Sequence, residues 1–163
     1  MSPALHAGLL ALRAGGRWRG ALVLGSSGSG KSDLALRALA MGFRLVADDR
    51  TLVWSSGGHL FGRAADPLRE LLEIRGQGVL RTPALDFCRI DLVVEAGTPE
   101  RMPEPEVLIL AGVAVPRLRL RLTDASAPHR LQEALCRLGA GPEESYLGRL
   151  PAPRAPATGE TAP

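Results

Sequence analysis

The chain has a single lysine among its 163 residues, although arginine occurs nineteen times. Aromatic residues make up only 4%, so a core must come from leucine, valine and alanine. Cysteine occurs twice. Cys88 and Cys136 sit in apolar surroundings without Cys-x-x-Cys spacing, and read as buried free thiols of a reducing cytoplasm. No apolar run approaches the roughly eighteen residues of a membrane span. No charged segment followed by an apolar run opens the chain, so no secretory leader is read. The net charge is only +3. The arginines are scattered, with no basic block of the kind that marks a nucleic-acid arm, and their excess reads as compositional bias. The expectation is a soluble, cytoplasmic protein with neither a membrane nor a nucleic acid as partner.

Against that background the one lysine stands out. It lies in Gly25-Ser26-Ser27-Gly28-Ser29-Gly30-Lys31-Ser32, which fits G-x-x-x-x-G-K-[ST]. The apolar run Ala21-Leu22-Val23-Leu24 leads into it, and Leu34, Ala35, Ala38 and Leu39 recur at helical spacing after it. Strand, glycine loop and helix are what phosphate binding needs. Glycines let backbone N–H groups turn inward around phosphate oxygens, and the helix N-terminus adds partial positive charge. Lys31 is a compact cation on a flexible stem and follows the β- and γ-phosphates where a planar arginine fork fits less well. Ser32 offers a hydroxyl to Mg²⁺.

The remaining pattern predicts an α/β chain with one domain over residues 1–150. Gly8 to Arg13 and Trp18 to Leu24 read as strands about a turn at 14–17. Gly42 closes the helix. Arg44 to Ala47 is a strand, and Thr51 to Trp54 with His59 to Phe61 form a hairpin across two serines and two glycines. Glu70 to Gly78 reads as a loop between short elements. Further strands are expected at Ile90–Glu95, Val107–Leu110 and Pro116–Leu122, with a surface loop over 97–105. In the last strand Leu118, Leu120 and Leu122 face inward and Arg117, Arg119 and Arg121 outward. Ala127 to Leu138 is an amphipathic helix. From Pro151 to Pro163 the composition is that of a disordered Pro/Ala-rich tail.

Asp48 and Asp49 end the strand that follows the helix. A carboxylate there is able to hold Mg²⁺ or to orient a nucleophile, and alternation along a strand predicts that only one of the two faces the phosphates squarely. Glu73 lies between Leu72 and Ile74, where a carboxylate needs a partner. Mg²⁺ or Arg75 would serve, and spacing does not choose between a salt bridge and a metal ligand.

The run Gly25 to Arg50, GSSGSGKSDLALRALAMGFRLVADDR, resembles the catalytic domain of HPr kinase/phosphorylase. That family has a G-x-S-G-x-G-K-S loop, a helix and a strand ending in L-V-A-D-D. LLEIRGQGVL at Leu71 to Leu80 resembles the family's L-[LI]-E-I-R-G-x-G, and His6-Ala7-Gly8 its His-Gly pair. The resemblance spans roughly residues 5 to 138 and fits a short form with the catalytic domain alone. It implies a P-loop-containing fold of the phosphoenolpyruvate-carboxykinase-like variant, and transfer of phosphate from ATP, with Mg²⁺, to a serine of HPr, a phosphocarrier of the phosphotransferase system. Gly25, Ser26, Ser27, Gly28, Ser29, Gly30, Lys31 and Ser32 would then bind ATP, with Lys31 catalytic. Ser32 and Glu73 would bind Mg²⁺. Asp49 would take the serine proton and return it in the reverse reaction, supported by Asp48, and His6 would be a further active-site residue.

Two departures limit the resemblance. The P-V-R-P-G-R-N-like segment whose arginine supports phosphorolysis is absent from Leu122 to Arg130, where Arg130 is the candidate substitute, so phosphorylase activity stays open. Full-length members form hexamers, and self-association of this chain as a homo-oligomer also stays open. The alternatives are a small-molecule P-loop kinase, which usually needs an arginine-rich lid that the scattered arginines do not form, and a non-catalytic nucleotide-binding sensor, which has no need of three acidic groups.

Overall fold

The structure, a computed structural model, describes residues 4–65 and 69–138. The chain opens with two long strands, β1 (Ala4–Ala14) and β2 (Arg17–Leu24), paired antiparallel. Gly15 and Gly16, at φ 59° and 80°, join them. This left-handed pair matches the twist of the strands it links. Residues 7–12 and 20–23 are buried without alternation, because apolar clusters lie on both faces. Leu10, Leu12, Ala21 and Val23 belong to one, Leu9, Ala11 and Leu22 to the other. That explains why both segments read as continuous apolar runs.

After the glycine loop, helix α1 (Lys31–Leu39) buries Leu34, Ala35 and Ala38. It closes where expected. With Gly42 at φ 92°, the Gly42 N–H donates to the Leu39 carbonyl (3.3 Å) and the Phe43 N–H to that of Ala38 (3.2 Å). These are the paired bonds of a left-handed helix cap, and they deliver the fully buried Phe43 to the core.

Strand β3 (Arg44–Ala47) pairs with β1, and β4 (Arg50–Ser56) and β5 (His59–Ala64) form the expected hairpin across Gly57 and Gly58. The segment read as a loop is instead a small separate sheet, β6 (Leu71–Ile74) against β7 (Gly78–Arg81), turning at Gly76. The glycines mark the turn, and the residues on either side of it pair. Next come β8 (Cys88–Ala96), β9 (Glu106–Leu110), β10 (Val113–Leu120) and α2 (Ala127–Arg137). β10 starts and stops earlier than the sequence pattern suggests, although Leu122 is still buried. Cys136 is exposed, not buried as expected. The buried stripe of α2 runs through Ala127, Leu131, Ala134 and Leu135, and Cys136 falls just off it.

The large sheet has the order β2-β1-β4-β5-β8-β10-β9, and β2 also pairs with β8, so five strands close into a ring. β8 serves three neighbours because β5 pairs with its start and β10 with its end. Helices and sheet make the α/β chain expected. The sheet, however, is mixed, parallel only at β2–β8 and β8–β10, and its closure had no counterpart in the sequence reading. The parallel strands carry their C-terminal ends to one rim, where open α/β sheets bind ligands. The glycine loop leaves from that rim. The predicted tail and the end of the 1–150 domain lie outside the described residues.

Candidate active site

The loop from Gly25 to Ser32 is shaped by glycine at three points. A Cβ on Gly25 would lie 2.4 Å from Ser29 Oγ and 2.8 Å from Ala96 Cβ, so no side chain fits. Gly28 and Gly30 have φ 81° and 100°, the left-handed region that other residues rarely adopt. Ser26 and Ser27 are exposed at the loop's tip. Ser29 Oγ is buried and makes no hydrogen bond among the described residues. It fills the space beside Gly25. Helix α1 has no side-chain cap, and its first turn closes with the Leu34 N–H on the Gly30 carbonyl at 2.9 Å. No carbonyl within the helix serves the N–H groups of Lys31 to Asp33, as an anion site requires.

Lys31 is only 7% exposed. Its ammonium donates to the carbonyls of Gly25 (2.7 Å) and Ser26 (3.0 Å), and Nζ lies 3.3 Å from His6 Nε2. His6 Nδ1 in turn lies 3.2 Å from Asp49 Oδ1. An ammonium donates only, so this neighbour set assigns the proton to Nδ1, which donates to the carboxylate. Lys31, His6 and Asp49 therefore form one row beside the loop, although they come from α1, β1 and the β3–β4 turn.

Asp48 faces elsewhere. Its Oδ1 accepts from the Ser32 hydroxyl (2.9 Å) and its Oδ2 from the Glu73 N–H (3.1 Å). Burial pushes this carboxyl above its ordinary value, against the Glu73 and Ser32 hydrogen bonds, and the nearby Asp49 and Glu73 charges add to the rise. The pair separates because β3 ends at Ala47 and Asp49 takes a left-handed φ of 66°. The Arg50 N–H closes that reversal on the Asp48 carbonyl at 2.7 Å. Both carboxylates thus reach the loop, the buried one toward Ser32 and the exposed one toward His6.

Glu73 is not buried as its apolar neighbours suggested. Leu72 is buried and Glu73 points outward, so its carboxylate is solvated. Its N–H is bound by Asp48, which leaves the carboxylate open to solvent at the edge of the site. Arg75 makes no ion pair with it among the described residues. The Arg75 guanidinium instead lies 3.7 Å from the position of a Cβ on Gly28, over the loop. Sequence reasoning missed that reach, though Arg75 shares the outward side of the β6 hairpin with Glu73 at i, i+2 spacing. It also missed Thr51, fully buried, whose hydroxyl donates to the Ala7 carbonyl at 2.7 Å and braces β1 next to His6. A third omission is Arg37, which binds the carbonyls of Leu122 and Asp124 and fixes the segment under Gly30. A lone arginine in a helix gives no signal of that kind.

The donor set fits a triphosphate with a hard cation. Among the described residues no three His, Cys, Asp or Glu side chains gather as a self-sufficient metal site. Ser32 and Asp48 are in contact and Glu73 is tied to Asp48 through its backbone. That suits Mg²⁺, which takes one or two protein oxygens and completes its shell from phosphate and water.

Comparison with known proteins gives the family and the fold. The family model described as the HPr serine kinase C-terminal domain matches residues 5–87, which include His6, the whole loop, both aspartates and Glu73. The chain belongs to the HPr serine kinase C-terminal domain family. Similar curated proteins are the HPr kinase/phosphorylases of Streptococcus equinus and Streptococcus uberis, each 39% identical over 116 residues, and that of Streptococcus pyogenes serotype M1 at 37%. These alignments cover 62% of this chain and 37% of each relative, so the chain spans well under half of their length. Among solved structures, the Hpr(Ser) kinase/phosphatase from Coxiella burnetii superposes with a TM-score of 0.68 at 22% identity, over 80% of this chain and 92% of that one. The fold is therefore shared.

Proposed function

We propose that this chain is an ATP- and Mg²⁺-dependent protein-serine kinase acting on HPr or an HPr-like phosphocarrier, working in the cytoplasm. The observation that carries the reading is the row Lys31–His6–Asp49 lying directly beside a phosphate loop. Family membership supports it, and so does a fold we read as a P-loop architecture related to the phosphoenolpyruvate carboxykinases.

In this reading ATP supplies the phosphoryl group, and Mg²⁺ neutralises charge on its oxygens. N–H groups of the Gly25 to Ser32 loop would hold the phosphates, apart from that of Ser29, which is bound to the Ser26 carbonyl, and Lys31 would swing from the loop carbonyls onto them. Ser32 and Glu73 would hold the cation, with Asp48 fixing the Ser32 hydroxyl and the Glu73 backbone. Asp49 accepts the proton of the acceptor serine as the serine oxygen bonds to the γ-phosphorus and the bond from that phosphorus to the β–γ bridging oxygen breaks, with ADP as leaving group, and His6 keeps that carboxylate aimed. Positioning and charge neutralisation supply most of the rate. In the reverse direction Asp49 would return the proton. Arg130, the candidate for the missing phosphorolysis arginine, faces Asp124 at 3.8 Å, so kinase activity is the direction we assign.

Asp49→Asn tests the role of the base. Asparagine tolerates left-handed φ, so the turn should persist. Mg-ATP affinity should stay at the wild-type value while transfer to the carrier is lost. Normal transfer by this variant, or its loss in Asp48→Asn alone, would remove Asp49 from the role.

A further inference from the structure

A kinase of a folded protein must hold its acceptor next to the base, and the wall beside Asp49 is built for such a contact. Across the register, His6 stands opposite Arg50, Leu52 opposite Arg63, Trp54 opposite Phe61, and Phe61 opposite Arg89. Thr51, Val53, Leu60, Gly62 and Ala64 point into the core, so by alternation the first set lines the outer face. That face runs without a break from His6 to Trp54, and from Arg50 to Trp54 it covers about 13 Å.

Three of the chain's six aromatic residues (three Phe, two Trp, one Tyr) gather there. Trp54 and Phe61 stack with centroids 5.9 Å apart, and Phe87 leans on them at 6.3 and 6.4 Å while 57% exposed. In so aromatic-poor a chain a half-buried Trp54–Phe61 pair with an exposed Phe87, outside both core clusters, is not core filling. Among the described residues arginine outnumbers carboxylate around it: Arg17, Arg50, Arg63, Arg69 and Arg89 lie there against Asp49, Asp86 and Asp91, with Asp86 paired to Arg69 and Asp91 to Arg17 and Arg89. Two copies placed face to face would set arginine against arginine. A different protein with an apolar patch rimmed by carboxylates is complementary.

We propose that this face, centred on Trp54, Phe61 and Phe87, docks the protein acceptor of the transfer, whose matching surface is apolar with an acidic rim beside the accepting serine. The inference rests on the kinase reading.

The test compares wild type with Phe87→Ala, Phe87→Glu and Phe87→Lys, using Mg-ATP and the HPr-type carrier from the same cell. Phe61→Ala serves as a second site on the same face. Melting temperature and Mg-ATP affinity should stay at wild-type values in the Phe87 variants. KM for the carrier should rise about tenfold in Phe87→Ala, with kcat unchanged, more in Phe87→Glu and less in Phe87→Lys. That charge order is one that a merely structural role would not produce. An unchanged carrier KM in all variants overturns the docking face. So does a drop in sedimenting mass of Phe87→Glu with no KM effect, since the face would then join two copies of this chain. Absence of transfer by the wild type is a different failure, that of the kinase reading itself.

Discussion

Replacing Asp48 with alanine removes the acceptor that joins three separate elements. Its carboxylate receives the Ser32 hydroxyl from the start of α1 and the Glu73 N–H from β6, and it is 8% exposed. Each hydrogen bond to a charged acceptor contributes about 1.5–3 kcal/mol. The full sum overstates the loss, because burial of the carboxylate is itself unfavourable, as its raised pKa shows. We expect a net loss of about 2 kcal/mol, or about 4–8 °C in melting temperature for a chain of this size. The pH dependence gives a second reading. A folded-state pKa above the unfolded value means that the native state binds more protons just above the ordinary 3.8. Stability from this group therefore falls as pH rises through that window. Asp48→Asn does not ionise, so that part of the slope should vanish, while one acceptor oxygen remains and the stability cost at neutral pH is about 1 kcal/mol. Thermal melts by circular dichroism from pH 3.5 to neutrality measure both. An alanine variant as stable as wild type, or an asparagine variant with the same pH slope, would refute the reasoning.

Three further outcomes follow from the loop and the thiols. Lys31→Ala should leave the circular dichroism spectrum intact while lowering transfer by about 10²–10³-fold; undiminished turnover would take the loop out of the mechanism. Gly25→Ala should cost about 1–3 kcal/mol, because its Cβ meets Ser29 and Ala96, and should weaken Mg-ATP binding, both measurable by melting with and without nucleotide. Burial pushes the Cys88 thiol up to about 12, so an alkylating reagent at pH 8 should modify native protein only at Cys136, with Cys88 reacting after denaturation. Mass spectrometry of the labelled peptides decides between one site and two.

The parts of the molecule legible in the sequence are those specified over short stretches. The glycine pairs at 15–16 and 57–58 mark hairpins because φ > 0 at both positions is required there. Gly42 marks the end of α1 for the same steric reason. The loop and the two aspartates are contiguous motifs, and the structure brings His6, Lys31 and Asp49 together. Closure of the ring was not legible, since the β2–β8 pairing joins Gly20 to Ile90 and two buried strands carry no pattern that names their neighbours. β7 was missed because all four of its residues are exposed, which leaves no alternation to read. The burial that the apolar neighbours of Glu73 suggested does not occur, because strand alternation turns Leu72 inward and the carboxylate out. Arg75 and Arg37 act across loops at distances in sequence where spacing says nothing.

The measurement that tests the account most directly is a phosphate-mapping experiment. Purified protein, Mg-ATP and the HPr-type carrier from the same cell are mixed, and the carrier is examined by intact-mass and peptide mass spectrometry. The account predicts one added phosphate on a carrier serine, lost when Asp49→Asn replaces the wild type. An unmodified carrier in the presence of measurable Mg-ATP binding would contradict it, and would leave the loop as a nucleotide sensor or as the donor site for another acceptor.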